Sequence, residues 1–143
     1  MGKTFQGSVA LIGRILLVPV FLNAAYKHAT DLHGMTGFMA GKMPLPEGLV
    51  TLLAIGAIAF LTLGGLGVLF GAYTRIGAAM LAIFLISVTP LFHAFWALPA
   101  GTPEYMMQMG NFSKNIAMLG GVLVLLAMGP GPFSLDARAA RKT

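Results

Sequence analysis

The stretch Phe112-Ser113-Lys114-Asn115, followed by the apolar run Ile116–Met128 and closed by Gly129-Pro130-Gly131-Pro132-Phe133-Ser134-Leu135-Asp136, decides how this chain folds. A lysine and an asparagine stand at the mouth of a greasy segment, and two Gly-Pro pairs end it. Ile116–Met128 alone has 13 residues, short of the roughly 20 that a helix needs to cross a bilayer. Adding Gly110–Asn115 brings the segment to 19 residues, about 28 Å of helix. That is long enough to span, and it draws Lys114 into or near the lipid.

The rest of the chain supports a membrane reading. Its 143 residues fit one domain. Hydrophobic residues make up 57% and charged residues 9%, where soluble proteins carry about 25% charge. The mean hydropathy is +0.86. The chain has no cysteine, which excludes disulfides, thiol redox chemistry on this chain and thiolate-ligated metals. The net charge of +5 comes from residues scattered over loops and a tail. It serves membrane topology rather than nucleic-acid binding, and no nucleic-acid partner is expected.

The spacing of apolar runs predicts an all-α, polytopic, antiparallel bundle of four transmembrane helices, at about 6–28, 49–70, 76–96 and 110–128, with a basic tail over 129–143. The opening segment loosely resembles a signal peptide. Arg14 and Pro19 interrupt its apolar core, so it is read as the first span. Pro19 is expected to kink it. In the loop from Ala29 to Gly48, Met35, Met39 and Met43 are four apart and would align on a short interfacial helix. Gly64, Gly65, Gly67 and Gly71 cluster at the end of the second span, and Ala117 and Gly121 share a face of the fourth. Such small residues let helices approach closely in lipid. The turn Gly71–Arg75 sets the third helix antiparallel to the second. The second long loop is expected over Ala97–Met109.

Basic residues set the direction. Lys3, Arg75, Arg138, Arg141 and Lys142 fall on the side of the termini. Lys27, Lys42 and Lys114 fall on the other, beside Asp31, Glu47 and Glu104. The positive-inside rule then places both termini in the cytoplasm.

This topology gathers residues that are distant in sequence. Lys27, His28, His93, Lys114 and Asn115 reach the outer ends of three helices, with Asn23 one turn deeper. Together they would form a cationic pocket beneath an apolar rim, fit for a quinone carbonyl, an anionic headgroup or an oxyanion. The competing reading is that Lys27 and Lys114 snorkel to the interface. Arg14 sits roughly 12 Å into the first helix. All four acids fall in loops or the tail, so Arg14 needs backbone carbonyls, polar side chains, a lipid phosphate or a bound ligand. Histidine and methionine suit copper(I), but methionine also fills apolar gaps and no tight His or Met array is present. No metal centre is expected, and no haem.

Four segments resemble the DoxX family of small four-helix membrane proteins. These are Gly13–Leu16 with Asn23–Lys27; Gly37–Pro44 with Pro46; Gly64-Gly65 continuing to Gly71–Arg75; and Phe112–Asn115 with the ending Gly129–Asp136. The resemblance covers nearly the whole chain. It implies a bacterial or archaeal cytoplasmic (inner) membrane and an association with membrane oxidoreductases, some of which act on quinones. Members often carry a glutamate four residues before the second glycine of the Gly-Gly pair; here that position is Leu61.

The leading expectation is a non-catalytic accessory or anchor subunit of a larger respiratory or oxidoreductase complex, with no cofactor on this chain and a quinone or lipid as the bound molecule. Its partners would be lipids and other membrane subunits, or further copies of itself. A quinone-linked oxidoreductase component, with Arg14, Lys27, His93 and Lys114 orienting the ligand, is the first alternative. A small-molecule or ion carrier is the second.

Overall fold

The computed structural model describes residues 2–141; Met1 and, from the expected basic tail, Lys142 and Thr143 lie outside the described residues. Helix α1 spans Lys3–Thr30, α2 Leu32–Ala40, α3 Glu47–Phe70, α4 Thr74–Phe92, α5 Pro103–Met128 and α6 Leu135–Ala139, with a 3₁₀ turn at Phe95–Ala97. Among the described residues, four helices are long and apolar enough to cross a membrane: α1, α3, α4 with its 3₁₀ extension, and α5. They run alternately up and down, so one end of the bundle carries both chain ends (the termini end) and the other carries α2 and the Phe95–Thr102 connection (the loop end).

α1 packs on α3, α3 on α4, and α4 on α5. The core runs along the centre through Val18, Phe21, Leu61, Val68, Ala78, Leu81, Leu85 and Val122. Small residues bring α3 and α4 together. A Cβ on Gly77 would lie 2.8 Å from the carbonyl oxygen of Gly64, and one on Gly64 would lie 2.9 Å from that of Gly77. In lipid such close packing, rather than a hydrophobic drive, holds helices together. Ala78 and Ala82 are buried on the same face of α4. Gly65 faces Leu22 of α1, and Gly121 of α5 faces Leu17. Ala117 faces outward instead. Its exposure places it on the side of α5 away from the bundle.

Most span ends lie within four residues of the expected ones, α4 giving way after Phe92 to the 3₁₀ turn; the start of the fourth span and the C-terminal segment depart further. α5 begins at Pro103, seven residues before the expected Gly110. Pro103 starts this helix, because proline is tolerated in the first turn, where its missing N–H has no partner to lose. The Thr102 hydroxyl accepts the Tyr105 N–H at 3.2 Å and caps it. Met106–Met109 are therefore helical, and Lys114 lies roughly 16 Å along α5 rather than at its mouth.

The C-terminal segment folds back onto the bundle rather than trailing from it as a simple basic tail. Gly129 and Gly131, both with φ near +80°, turn the chain under the termini end. Gly131 passes so close to Ala10 that a Cβ would lie 2.8 Å from it, and Pro132 and Phe133 press on Gly7. α6 follows, capped by Ser134, whose hydroxyl accepts the Ala137 N–H at 3.1 Å. The short interfacial helix expected to align Met35, Met39 and Met43 is α2, which holds the first two and ends at Ala40, before Met43; all three pack with Val50 and Ala54 over the loop end of α3, and Phe38 stacks on Phe92 of α4 at 5.4 Å.

Candidate functional site

The polar residues sort into two sites at opposite ends. At the termini end, Arg14 is 1% exposed. Its guanidinium donates to the carbonyls of Val68 and Leu69, each at 3.3 Å, and to that of Phe133. The first two belong to the last turn of α3, where carbonyls lack the i+4 helical donor; that of Val68 also accepts the Gly71 N–H at 3.3 Å. Nε has no hydrogen-bond partner among the described residues. Gly71 continues the arrangement: it caps α3 with φ +67°, and a Cβ there would collide with Arg14 and Ser134. Arg14 thus ties α1, α3 and the C-terminal segment together, at the opposite end from the other candidate residues.

Asp136 completes this junction. Its carboxylate accepts the Tyr73 N–H at 2.7 Å, the Thr74 N–H at 2.9 Å and the Thr74 hydroxyl at 2.8 Å. Its own N–H donates to the Gly71 carbonyl at 2.8 Å. Burial alone would raise the Asp136 carboxyl, but the Thr74 and Tyr73 hydrogen bonds, with the Arg14 charge nearby, hold it below the ordinary carboxylate value.

At the loop end a cavity of about 240 Å³ lies between α1, α3, α4 and α5. His28, His93, Lys114 and Asn115 line it, among Phe21, Leu61, Phe84, Val88 and Met118. Of the residues expected there, His28, His93, Lys114 and Asn115 come together. Asn23 and Lys27 do not line it; Lys27 is exposed and Asn23 stands four residues before it. That spacing puts the two on one helix face, away from the inward face carrying Phe21, Ala25 and His28.

Asn115, His93 and Lys114 are each positioned by a neighbour. Asn115, 6% exposed, donates its amide to the Thr89 hydroxyl at 3.2 Å, and Thr89 is 2% exposed. His93 ends α4, and its Nδ1 lies 2.8 Å from Gln108 Oε1. Lys114 Nζ donates to Asn111 at 3.2 Å and is otherwise exposed at the cavity edge. Phe95 and Trp96 pack edge-on against Phe112 at 5.4 and 5.5 Å, fixing the turn after His93 to α5. Thr89, Gln108 and Asp136 were not among the residues expected from sequence. Their partners lie 15 to 63 residues away, so no local pattern marks them.

The cavity offers hydrogen-bonding groups and one cation within apolar walls. Leu61, where the resemblance implied a glutamate, is fully buried and lines it. No carboxylate is among its lining residues. Such a site can bind and orient a headgroup bearing hydrogen-bond acceptors. Groups of three or more His, Cys, Asp or Glu placed to hold a metal ion do not occur among the described residues.

The DoxX family model matches residues 9–94. The chain is 35% identical to the inner membrane protein YqjF of Escherichia coli K12, over 94% of both chains. It is 28% identical to the inner membrane protein YphA of the same organism, over 90% of this chain and 88% of that one. A Surfeit locus protein 4 homolog of Schizosaccharomyces pombe is 27% identical over 88% of this chain and 36% of its own length. No solved structure gives a significant match.

Proposed function

This chain belongs to the DoxX family of integral membrane proteins, and on that premise we propose that it is a non-catalytic accessory subunit of a larger membrane assembly, holding the headgroup of a quinone. The observation that carries this reading is the loop-end cavity, where His28, His93, Lys114 and Asn115 surround one apolar space. A quinone ring is apolar with two carbonyl acceptors. The Lys114 ammonium and the Asn115 amide can donate to one, and a histidine N–H to another.

The outer face of α5 fits a protein neighbour. This helix is the least buried span, with 11% of its most apolar stretch inside the bundle against 22 to 28% for the others. Ser113, Ala117 and Gly120 are exposed on it, and small residues suit close helix packing in lipid. The termini end, with Arg75, Arg138 and Arg141, is proposed to face the cytoplasm of a bacterial or archaeal cell.

Purification in a gentle detergent tests the reading. The expected result is a copurifying membrane protein in fixed ratio and a quinone extractable from the complex. A homogeneous preparation of this chain alone, with no quinone retained, would contradict it.

A further inference from the structure

The loop-end cavity shares lining residues with one neighbouring space, which in turn shares lining residues with a third. A second, of about 200 Å³, lies under α2 and shares His28, His93, Phe84 and Val88 with the first. A third, of about 400 Å³, is a groove between α3 and α4 and shares Met39, Ala57, Phe84, Val88 and Phe92 with the second. Phe84 and Val88 line all three. Polarity falls along this path. The first space carries the lysine, the asparagine and two histidines, whereas Ser87 is the one hydroxyl residue lining the third. That hydroxyl is spent on the Ile83 carbonyl of its own helix, at 2.8 Å. The outer wall of the groove is lipid-facing, with Leu52 64% and Ile83 55% exposed.

We propose that the α3–α4 groove is a tail channel, which takes the hydrocarbon chain of the same amphiphile whose headgroup occupies the cavity, so that the ligand enters sideways from the bilayer past Phe84. The proposal rests on the headgroup reading above and adds the ligand class, a headgroup on a single long apolar tail. Within a bilayer the hydrophobic effect gives a tail no preference for protein over lipid. The groove acts through shape: it lets the tail stay in hydrocarbon while the ring sits among polar groups inside the bundle. Gly56 suits this role, because a side chain added there meets nothing within 4 Å. The groove floor is therefore open by the absence of a side chain and not because two helices must touch.

The test is ligand binding to the full chain in nanodiscs, using a long-tailed polyprenyl quinone and its tail-less ring analogue. The variants Gly56→Phe and Ser87→Phe fill the groove from its two walls. Each is expected to weaken long-tailed quinone binding by roughly tenfold relative to wild type and to leave the ring analogue unchanged. Lys114→Met and Asn115→Leu are expected to weaken both ligands. If the two groove variants bind the long-tailed quinone as wild type does while Lys114→Met weakens it, the channel is overturned and the headgroup site stands. If wild type binds neither ligand, the headgroup reading fails and the channel fails with it.

Discussion

Asp136 caps a helix that begins 62 residues before it, accepting the Thr74 N–H at 2.9 Å and the Thr74 hydroxyl at 2.8 Å. The start of α4 carries no acid of its own in its first turn. Tyr73, the residue before it, holds φ at +48°, an uncommon conformation for a side chain of that size. The C-terminal segment supplies the missing acceptor and holds that turn, so it belongs to the folded bundle.

Replacing Asp136 with alanine should lower stability by about 1–2 kcal/mol, the usual worth of a helix cap. Thermal melting in detergent measures it. Hydrogen exchange should rise at Tyr73 and Thr74 and over 129–139, and stay unchanged at the loop end. Uniform exchange across the bundle would contradict a local role.

Acid should act through the same contact. The folded carboxyl titrates below its ordinary value of 3.8. A depressed carboxyl contributes stability above the unfolded value and loses it as pH falls through the folded one. Protection of the C-terminal segment should therefore decline from about pH 4 downward. Asp136→Asn should lack this acid-dependent step, as read by hydrogen exchange against pH.

Arg14 should tolerate neither Met nor Lys. Methionine would take the Arg14 donor from the Leu69 and Phe133 carbonyls, while Val68 keeps the Gly71 N–H, and a buried polar group left unpaired costs about 1–3 kcal/mol. Lysine keeps the charge but cannot reproduce the planar fork that reaches two elements at once. Both variants should melt earlier than wild type and release the C-terminal segment. A melting curve like that of wild type would show that the carbonyls find other donors.

The glycines of α4 and α5 should separate by their surroundings. Gly77→Ala puts a Cβ 2.8 Å from a backbone oxygen that cannot swing away, so α3 and α4 must part. Gly120→Ala meets nothing within 4 Å and should be neutral or better, with alanine favoured over glycine in a helix by roughly 1 kcal/mol. Folded yield and melting of the two variants test this contrast.

The four spans were legible because a small water-soluble fold cannot bury four apolar runs of membrane length, and the glycines after Leu63 marked the close α3–α4 approach. Helix phase was less legible. Asn23 and Lys27 lie beside inward-facing residues in sequence, but each step along a helix turns about 100°, and neither reaches the cavity. His28, next to Lys27, turns in. Pro103 read as a loop residue although a proline also starts helices. The Asp136–Thr74 and Asn115–Thr89 contacts depend on the folded arrangement, since nothing local in either segment requires the other.

The buried pair that frames the cavity should also show coupling. Asn115→Leu leaves the Thr89 hydroxyl buried without its donor, and Thr89→Val leaves the amide without its acceptor. Each should lower stability by about 1–3 kcal/mol. The double variant should cost less than the two singles summed, because it removes both partners together. A strictly additive double variant would show that the 3.2 Å contact carries no coupling.

Whether a quinone ring sits in the loop-end cavity can be read by photolabelling. A quinone bearing a photoreactive group on its ring is activated in nanodiscs containing the full chain, and the labelled residues are mapped by mass spectrometry. Label is expected on Phe84–His93 and Lys114–Met118, where α4 and α5 face the cavity, suppressed by unlabelled quinone and lost in Asn115→Leu. Label spread over the lipid-facing sides of α1 and α5, with no competition, would contradict it.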